Sequence, residues 1–342
     1  MSMLNDPRPS VDLEPRKYSD RLGVIDADQF QAVADEFGLG RVTNAEPAPG
    51  GLFGQVVFLT TTDGQYAMRG NPHGYVQLTK ERRVAQIIRE RSSLPAPWPY
   101  HVSEKTELFG WTYAVMPRLP GRSGSELWNA ADDEQRLALA RAFGEALGRL
   151  HEARSPFFGP YDADLDDFIA MDNFSDWALY RLDVTRTKCR RINALTVEAE
   201  LFIDSMIDQC AGAFAVPFEP VLVHHDFTLG NVNLAESGRG YAATGVFDLF
   251  ESYFGDGEED LIRFLGHVQT DEQRRVFADA YSAHRSLRPG ASERLALYAL
   301  ADFLVAWEYG KRNRVWFEDV AFLDAVRPNI ANARAIGSIH GR

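Results

Sequence analysis

Val221-Leu-Val-His-His-Asp-Phe-Thr-Leu-Gly-Asn-Val-Asn-Leu234 is the segment on which the prediction of the fold rests. An apolar run ends in a polar segment, and a second run with alternating apolar residues follows, a pattern typical of strand, tight loop and strand. The loop contains two imidazoles, one carboxylate and one amide. Asp226 and Asn231 are close enough in sequence for the loop to fold back and direct both side chains at one point.

A second carboxylate follows at the end of another strand-like run. Tyr241-Ala-Ala-Thr-Gly-Val-Phe-Asp248 is mostly apolar, and its last residue is acidic. The segment that separates Asp226 from Asp248 has the length of a hairpin, which would bring Asp248 beside Asn231. The sequence therefore predicts that two carboxylates and one amide meet at a single site.

These side chains are the set that phosphoryl transfer requires. One carboxylate can orient and deprotonate the accepting hydroxyl, while an amide and a second carboxylate can hold the metal ions that neutralise the phosphates. Mg²⁺ prefers hard oxygen ligands, which Asn and Asp supply. The spacing His224-x-Asp226-x-x-x-x-Asn231 is that of the protein-kinase catalytic loop, with Asp248 in the role of the kinase metal-binding Asp.

The order of these motifs resembles the aminoglycoside phosphotransferase family more closely than the protein kinases. That family has a His-x-Asp loop ending in Gly-Asn, an apolar strand ending in Asp, then Gly-Asp and a further Asp-Leu. The resemblance implies a two-lobe, protein-kinase-like α+β fold with a small antiparallel-sheet N-lobe and a mostly helical C-lobe. The matching segments are His224-His-Asp226, Gly230-Asn231, Val246-Phe-Asp248 and Gly255-Asp256-Gly-Glu-Glu-Asp260-Leu261.

The resemblance also assigns roles to the matching residues. Asp226 would be the catalytic base that orients the acceptor hydroxyl, and Asn231 and Asp248 would bind Mg²⁺. His224 and Asp260 would support the loop. ATP or GTP would be the phosphoryl donor, and a small molecule would be the acceptor.

The sequence pattern before the catalytic motif indicates a small sheet, which we expect to bind the nucleotide. Two strand-like runs joined by Asp63-Gly64 indicate a hairpin. The glycines before it lie where kinases place the loop that covers the phosphates, since glycine allows backbone N–H groups to approach phosphate closely. The resemblance places the interlobe hinge, whose backbone would bond the adenine, at Met116 to Leu119. The predicted nucleotide-binding residues are Gly50, Gly51, Phe53, Gly54, Arg69, Glu81, Met116, Arg118 and Leu119.

Arg69 occupies the strand position at which kinase-like proteins carry a Lys that pairs with the phosphates and with a helix Glu. Arginine keeps the charge and can bind phosphate bidentately, but its fork is larger than an ammonium group and differently placed. Glu81, near the start of the next helix, is the expected partner. The alternative interpretation of Arg69 is a solvated charge at the end of a strand.

The order of elements predicts three regions. Residues 1–20 are polar and contain several prolines, so we expect them to be extended or poorly ordered. Residues 21–117 would form the nucleotide-binding lobe, and residues 118–342 the helical lobe with the catalytic loop and the substrate site. Within the second lobe, apolar residues recur at helical spacing from Ala140 to Leu150, and the following His151 is expected to be structural.

The composition of the 342-residue chain is that of a globular protein, with 45% hydrophobic and 25% charged residues. The two cysteines are far apart and outside any metal-ligand spacing, so neither a disulfide framework nor a zinc site is predicted. We expect no secretory signal and no membrane span, because the N-terminus lacks an apolar segment and no apolar run reaches about 18 residues. A cytoplasmic location without a membrane partner is the resulting prediction.

The charge of the chain bears on its ligands. A net charge of −13 disfavours nucleic acid and favours cationic ligands, although solubility alone would also account for it. The run from Asp162 to Asp176 contains no Lys or Arg and is interpreted either as a solvated helix start or as a substrate-recognition surface. In the second case, Asp166, Asp167 and Asp172 would bind a cationic acceptor such as an aminoglycoside or amino alcohol.

Two other functional classes stay open on sequence grounds. A pseudokinase would bind a nucleotide or a partner without turnover; the unusual Arg69 favours it, and the intact Asp226, Asn231 and Asp248 argue against it. A metal hydrolase built on His224, Asp226 and Asp248 would need no nucleotide. The sequence names neither the acceptor nor the oligomeric state.

Overall fold

The computed structural model describes residues 25–48, 55–71, 75–238 and 240–340. Two compact units divide the chain, one formed by Met1–Gln86 with Ala96–Leu119 and the other by Ile87–Pro95 with Pro120–Arg342. The predicted N-terminal segment 1–20 lies outside the described residues. No helix in the described part of the chain is both long and apolar enough to cross a membrane.

The first unit is built on an antiparallel sheet. Its strands β1 to β5 lie in the order β1-β2-β3-β5-β4, and the predicted hairpin is confirmed because Thr60 of β2 pairs with Gln65 of β3 across the Asp63-Gly64 turn. Helix α2 begins here and continues into the second unit. The elements are α1 (Ala27–Phe37), β1 (Val42–Pro47), β2 (Gln55–Thr61), β3 (Gln65–Asn71), α2 (Tyr75–Arg91), β4 (His101–Ser103) and β5 (Thr112–Pro117).

Helix α1 covers one face of this sheet. Its start is fixed by a capping box in which Asp26 and Gln29 exchange side-chain and backbone hydrogen bonds, and it ends at Gly38, whose φ of 63° suits glycine. Val33 and Ala34 on its inner face are fully buried. They belong to one apolar cluster with strand residues Val57, Leu59, Met68, Tyr113 and Val115.

The second unit is mostly helical and carries the predicted catalytic loop on a small antiparallel sheet. Short 3-10 turns occur at Ala211–Ala215, Leu229–Asn231 and Gly257–Asp260. The remaining elements are β6 (Arg122–Ser123), α3 (Gly124–Ala130), α4 (Asp133–Leu150), β7 (Tyr161–Asp162), β8 (Asp167–Phe168), α5 (Phe174–Arg191), α6 (Val197–Cys210), β9 (Val221–Val223), β10 (Val232–Ser237), β11 (Gly240–Val246), β12 (Tyr253–Gly255), α7 (Leu261–Leu265), α8 (Asp271–Ser282), α9 (Ala291–Asn313) and α10 (Phe322–His340).

Helix α4 anchors the catalytic loop through aromatic packing. The helix predicted from the spacing of Ala140 to Leu150 is present, and its apolar face is buried. Phe143 of α4 makes an edge-to-face contact with Phe227 in the loop, with 6.1 Å between the ring centroids. Phe143 also stacks on Phe264 of α7, with 5.0 Å between the centroids. Such aromatic pairs add stabilisation beyond the area they bury. The loop therefore rests on a rigid apolar base.

The acidic run from Asp162 to Asp176 is not the helix start that one interpretation of the sequence predicted. Most of it is a short hairpin of β7 and β8 rather than a helix start, and only Asp176 lies in the first turn of α5, which Asn173 caps. The carboxylate of Asp162 accepts hydrogen bonds from the backbone N–H groups of Asp164 and Leu165 at 2.9 and 3.2 Å. Local bonds of this kind favour a turn over a helix.

Candidate active site

The hairpin of β10 and β11 places the two predicted metal ligands side by side. Val232 pairs with Val246 at the base of the hairpin, so Asn231 directly precedes one strand and Phe247-Asp248 directly follows the other. The backbone N–H of Phe247 donates to the carbonyl of Asn231 at 3.1 Å. The predicted hairpin is thus confirmed.

Asp226 and Asn231 are in direct contact. The side-chain Nδ2 of Asn231 donates to the Asp226 carbonyl oxygen at 2.9 Å and to its carboxylate oxygen Oδ2 at 2.8 Å. The loop therefore folds back on itself, as the five-residue spacing predicted. Since the amide nitrogen holds Asp226, the amide oxygen of Asn231 is the atom that can coordinate a metal.

The side chain of Asp260 binds the backbone of the loop. Its two carboxylate oxygens accept hydrogen bonds from the N–H groups of His224 and His225, both at 2.7 Å. His151 at the end of α4 lies 3.1 Å away through Nε2 and is itself buried, with its Nδ1 at 3.1 Å from the Tyr281 hydroxyl. These are the contacts expected of a loop-supporting carboxylate and a structural histidine.

The ring of His224 links the two segments that carry the predicted catalytic residue Asp226 and the predicted metal ligand Asp248. Its Nδ1 accepts the backbone N–H of Asp226 at 3.2 Å, and its Nε2 lies 3.0 Å from the carbonyl oxygen of Phe247, the residue before Asp248. Because Nδ1 accepts, Nε2 carries the proton and donates to that carbonyl. A buried imidazole thus holds the positions of Asp226 and Asp248 relative to each other.

Arg263 is a functional candidate that sequence reasoning missed. Its Nη1 lies 3.5 Å from Oδ1 of Asp226, and its Nε lies 2.6 Å from Oδ1 of Asp302 on α9. The signal in the sequence is faint: Arg263 is a charged residue within the otherwise apolar helix Leu261–Leu265. Its contacts become visible only when α7 and α9 pack together.

Arg181 of α5 is a second residue that the sequence did not reveal. Its Nη2 lies 2.8 Å from Nε2 of His225 and 3.1 Å from Glu259, and its Nη1 donates to the Tyr253 hydroxyl at 2.7 Å. Burial alone would raise the pKa of Glu259, but the Arg181 charge and the His225 contact outweigh burial and hold that pKa below its ordinary range. The surroundings of His225 are thereby defined.

The electrostatics of Asp226 reflect opposing influences. Burial is the largest and raises the pKa of Asp226, and the Asp248 charge acts in the same direction. The charge of Arg263 is the strongest influence that lowers it, and the net shift is upward. A carboxylate with a raised pKa binds a proton more readily, which suits a general base.

In the first unit, Arg69 forms the ion pair that the sequence predicted. Its Nη1 lies 2.7 Å from Oε2 of Glu81, whose side chain is only 2% exposed. The Tyr100 hydroxyl donates to the same carboxylate oxygen at 2.7 Å. The pairing of Arg69 with Glu81 is confirmed, and a contact of Arg69 with nucleotide phosphates stays a prediction.

The predicted hinge begins at the end of β5. Met116 is buried, and Arg118 bonds through its backbone N–H to the carbonyl of Gln65 at 2.9 Å, with its guanidinium 3.9 Å above the Phe58 ring. The adenine contact of this segment and of Leu119 stays a prediction. Gly50, Gly51, Phe53 and Gly54 lie outside the described residues.

The residues present fit a Mg²⁺ site of the phosphoryl-transfer kind. Asn231 and Asp248 offer hard oxygen atoms, and Mg²⁺ at such sites takes one or two protein ligands together with phosphate oxygens and water. Two protein oxygen ligands suit an ion that arrives with a nucleotide.

Solved structures with the same fold are aminoglycoside phosphotransferases. The crystal structure of APH(4)-Ia has 18% sequence identity and a TM-score of 0.62, and the match covers 91% of this chain and 98% of that one. A thermostable mutant of that enzyme, in a ternary complex with ADP and hygromycin B, has 19% identity and a TM-score of 0.62 over 89% and 96% of the two chains. The GDP and kanamycin complex of APH(2″)-IIIa has 14% identity and a TM-score of 0.61 over 92% and 99%.

These similarities define the fold as the two-lobe, protein-kinase-like α+β class predicted from the sequence. A comparison with curated proteins gives no significant match. The family model described as the phosphotransferase enzyme family matches residues 44–298, which include the predicted catalytic and metal-binding residues. The chain belongs to the phosphotransferase enzyme family, and the resemblance read from its motifs is confirmed.

Proposed function

We propose that this protein uses ATP or GTP with Mg²⁺ to phosphorylate a hydroxyl of a small cationic molecule, of the aminoglycoside or amino-alcohol class. The observation that carries the proposal is the contact between Asp226 and Asn231, with Asp248 directly after the strand that pairs with β10. Membership of the phosphotransferase enzyme family supports the reaction class.

The chemistry follows from the position of Asp226. The acceptor hydroxyl donates a hydrogen bond to the carboxylate, and its oxygen attacks the terminal phosphorus of the nucleotide. As the new O–P bond forms, the bond to the leaving nucleoside diphosphate breaks, and the hydroxyl proton passes to Asp226. Asn231 and Asp248 would hold Mg²⁺, which neutralises phosphate charge when bound.

The donor would be bound by the residues of the first unit that the sequence singled out. The Arg69–Glu81 pair places a fixed guanidinium on β3, and arginine can bind phosphate oxygens bidentately. The hinge segment from Met116 to Leu119 would bond the base. Solved relatives carry ADP, AMP-PNP or GDP, which supports a purine nucleotide without choosing between ATP and GTP.

The positive charge of the acceptor is supported by the carboxylates of the second unit. Burial opposes the charge on Arg263, yet the surrounding carboxylates Asp302, Asp226, Glu251 and Glu259 raise its pKa. Asp166, Asp167 and Asp172 are exposed, and the Asp166 carboxylate also accepts a hydrogen bond from the Tyr161 hydroxyl. Hygromycin B and kanamycin are bound by the solved relatives.

The test is a transfer assay with matched acceptors. The protein is incubated with MgATP or MgGTP and pairs of hydroxyl compounds that differ only in an amine, and the phosphorylated product is identified by mass spectrometry. We expect transfer to the cationic member of a pair, and product formation by Asp226→Asn that is slower by about 10²-fold or more. Nucleotide binding without product would favour the pseudokinase, and nucleotide-independent hydrolysis would favour the metal hydrolase.

A further inference from the structure

The two carboxylate oxygens of Asp226 have different partners. Oδ2 accepts a hydrogen bond from Asn231 at 2.8 Å, whereas Oδ1 lies 3.5 Å from Nη1 of Arg263, beyond hydrogen-bonding distance. A carboxylate oxygen that accepts an amide hydrogen at short range is less available for a second donor. Oδ1 is therefore the oxygen positioned to receive the hydroxyl proton.

Arg263 is itself held in place from a different element. Asp302 on α9 lies 2.6 Å from its Nε, an ion pair without hydrogen-bond geometry, and both side chains are 27% exposed, so the pair is partly shielded from water. Arginine is charged at every pH at which proteins fold. The guanidinium is thus a fixed positive charge with one edge toward Asp302 and another toward Oδ1.

The catalytic loop supplies no such charge. The segment from His224 to Asn231 contains neither lysine nor arginine. In phosphoryl transfer the protein contributes mainly position and electrostatic stabilisation, so a cation beside the reacting oxygen has a function that the loop does not provide. Arg263 lies in α7, the helix that begins directly after the loop-supporting Asp260.

We propose that Arg263 is a positioning residue for phosphoryl transfer, which Asp302 holds beside Oδ1 of Asp226 so that this oxygen is aimed at the acceptor hydroxyl. The inference rests on the proposed function, because it assumes that Asp226 receives the hydroxyl proton. It concerns catalysis and not nucleotide binding, since neither Arg263 nor Asp302 belongs to the predicted donor site.

The experiment compares Arg263→Met with Arg136→Met. Arg136 is a matched control because its side chain is 23% exposed and lies 3.6 Å from Asp133, close to the values of 27% and 3.5 Å for Arg263 and Asp226. Because misplacement of a reacting group by about 1 Å can cost a hundredfold, we expect kcat of Arg263→Met to fall roughly tenfold to a hundredfold. The KM for the nucleotide and the kcat of Arg136→Met should stay unchanged.

Chemical rescue separates positioning from a structural role. In Arg263→Ala, guanidinium ion at non-denaturing concentration should restore part of kcat, while the same ion should leave wild type unchanged and fail to restore Asp226→Asn. Asp302→Asn should lower kcat several-fold, and Arg263→Met/Asp302→Asn should be no slower than Arg263→Met. If the Arg263 variants do not fold, Asp302→Asn decides, and unchanged kcat in that variant overturns the inference.

The outcomes distinguish this inference from the proposed function. An active wild type with full kcat in Arg263→Met, or with a kcat loss that guanidinium does not restore at all, would overturn the role of Arg263 alone. A wild type that phosphorylates no acceptor would overturn the proposed function and this inference with it.

Discussion

Asp226 in the catalytic loop and Glu258 in the 3-10 turn before α7 are carboxylates of the same unit with contrasting surroundings. Glu258 is 3% exposed, with Oε2 at 2.8 Å from Arg294 and Oε1 at 3.2 Å from Arg288. Asp226 is 31% exposed, and only one of its oxygens accepts a short hydrogen bond, from Asn231. The first group has strong partners on both oxygens, and the second keeps one oxygen for chemistry.

The pKa does not separate these two kinds of carboxylate. Asp256, next to Glu258, also has a raised pKa, first because of burial and then because of the Glu258 charge. Yet Asp256 accepts the Tyr298 hydroxyl at 2.8 Å and is paired with Arg288. A raised pKa is thus shared by the structural carboxylate of Asp256 and the proposed catalytic carboxylate of Asp226, and the number of close partners is what differs between them.

The largest expected effect comes from neutralising the catalytic carboxylate. Asp226→Asn should lower kcat by about 10²- to 10⁴-fold, the usual contribution of a general base, with nucleotide affinity changed only a few-fold. Steady-state kinetics and calorimetry measure the two quantities. The control is Asp183→Asn, since Asp183 is an exposed residue on α5. Turnover at the wild-type rate in Asp226→Asn would show that Asp226, like Glu258, is not a catalytic carboxylate.

At Glu258, which is buried with Arg288 and Arg294, we expect a loss of stability without a loss of kcat. Glu258→Gln leaves Arg294 buried without its closest counter-charge, and breaking a buried pair costs about 3–5 kcal/mol of unfolding free energy. Denaturant unfolding measures this loss, and the kcat of the folded fraction should be preserved. Exposed Glu293→Gln is the control; a Glu258→Gln protein of normal stability but low kcat would show that the network takes part in catalysis.

The metal-binding prediction extends the contrast to Asp248. Asp248→Ala should weaken MgATP binding by at least about tenfold, since the ion links the carboxylate to the phosphates, while the unfolding free energy changes little. Calorimetry with and without Mg²⁺ gives both affinities. Equal MgATP affinity in the wild type and Asp248→Ala would show that Asp248 is not a ligand.

The smallest effect is expected in the exposed acidic run from Asp162 to Asp176. Replacing Asp166, Asp167 and Asp172 with Asn should raise the KM for a cationic acceptor several-fold at low salt, leave kcat unchanged, and lose this effect as salt screens the charges. The neutral member of the acceptor pair is the control. An unchanged KM at all ionic strengths would make the acidic run a solvated surface.

The catalytic loop could be predicted because its partners are near in sequence. Asp226 and Asn231 are joined by a short loop, and Asp248 is joined to them by one hairpin. Arg263 and Arg181 contact the same loop from α7 and α5, where only tertiary packing determines which side chains meet. No local pattern specifies such contacts, so sequence reasoning did not find these residues.

The same limit applies to the fold. In α5 the buried face includes Arg186, paired with Glu200 and Asp204, so the apolar periodicity is interrupted by a charged residue. Pro328 lies inside α10, where proline normally argues against a helix. Helix α10 therefore has no clear signal in the sequence, whereas the regular apolar face of α4 predicts its helix correctly.

The backbone of the loop has a consequence for how the protein can change. His225 and Asp248 have φ of 64° and 60°, a left-handed conformation that disfavours residues other than glycine by about 1–2 kcal/mol each. Because this cost is met during folding, the backbone that carries the Asp248 carboxylate is already set before any substrate binds. Selection for stability alone would favour glycine at these positions. Glycine would, however, remove the His225 contact with Arg181 and the Asp248 carboxylate, so a more heat-stable loop would lose the side chains proposed for function.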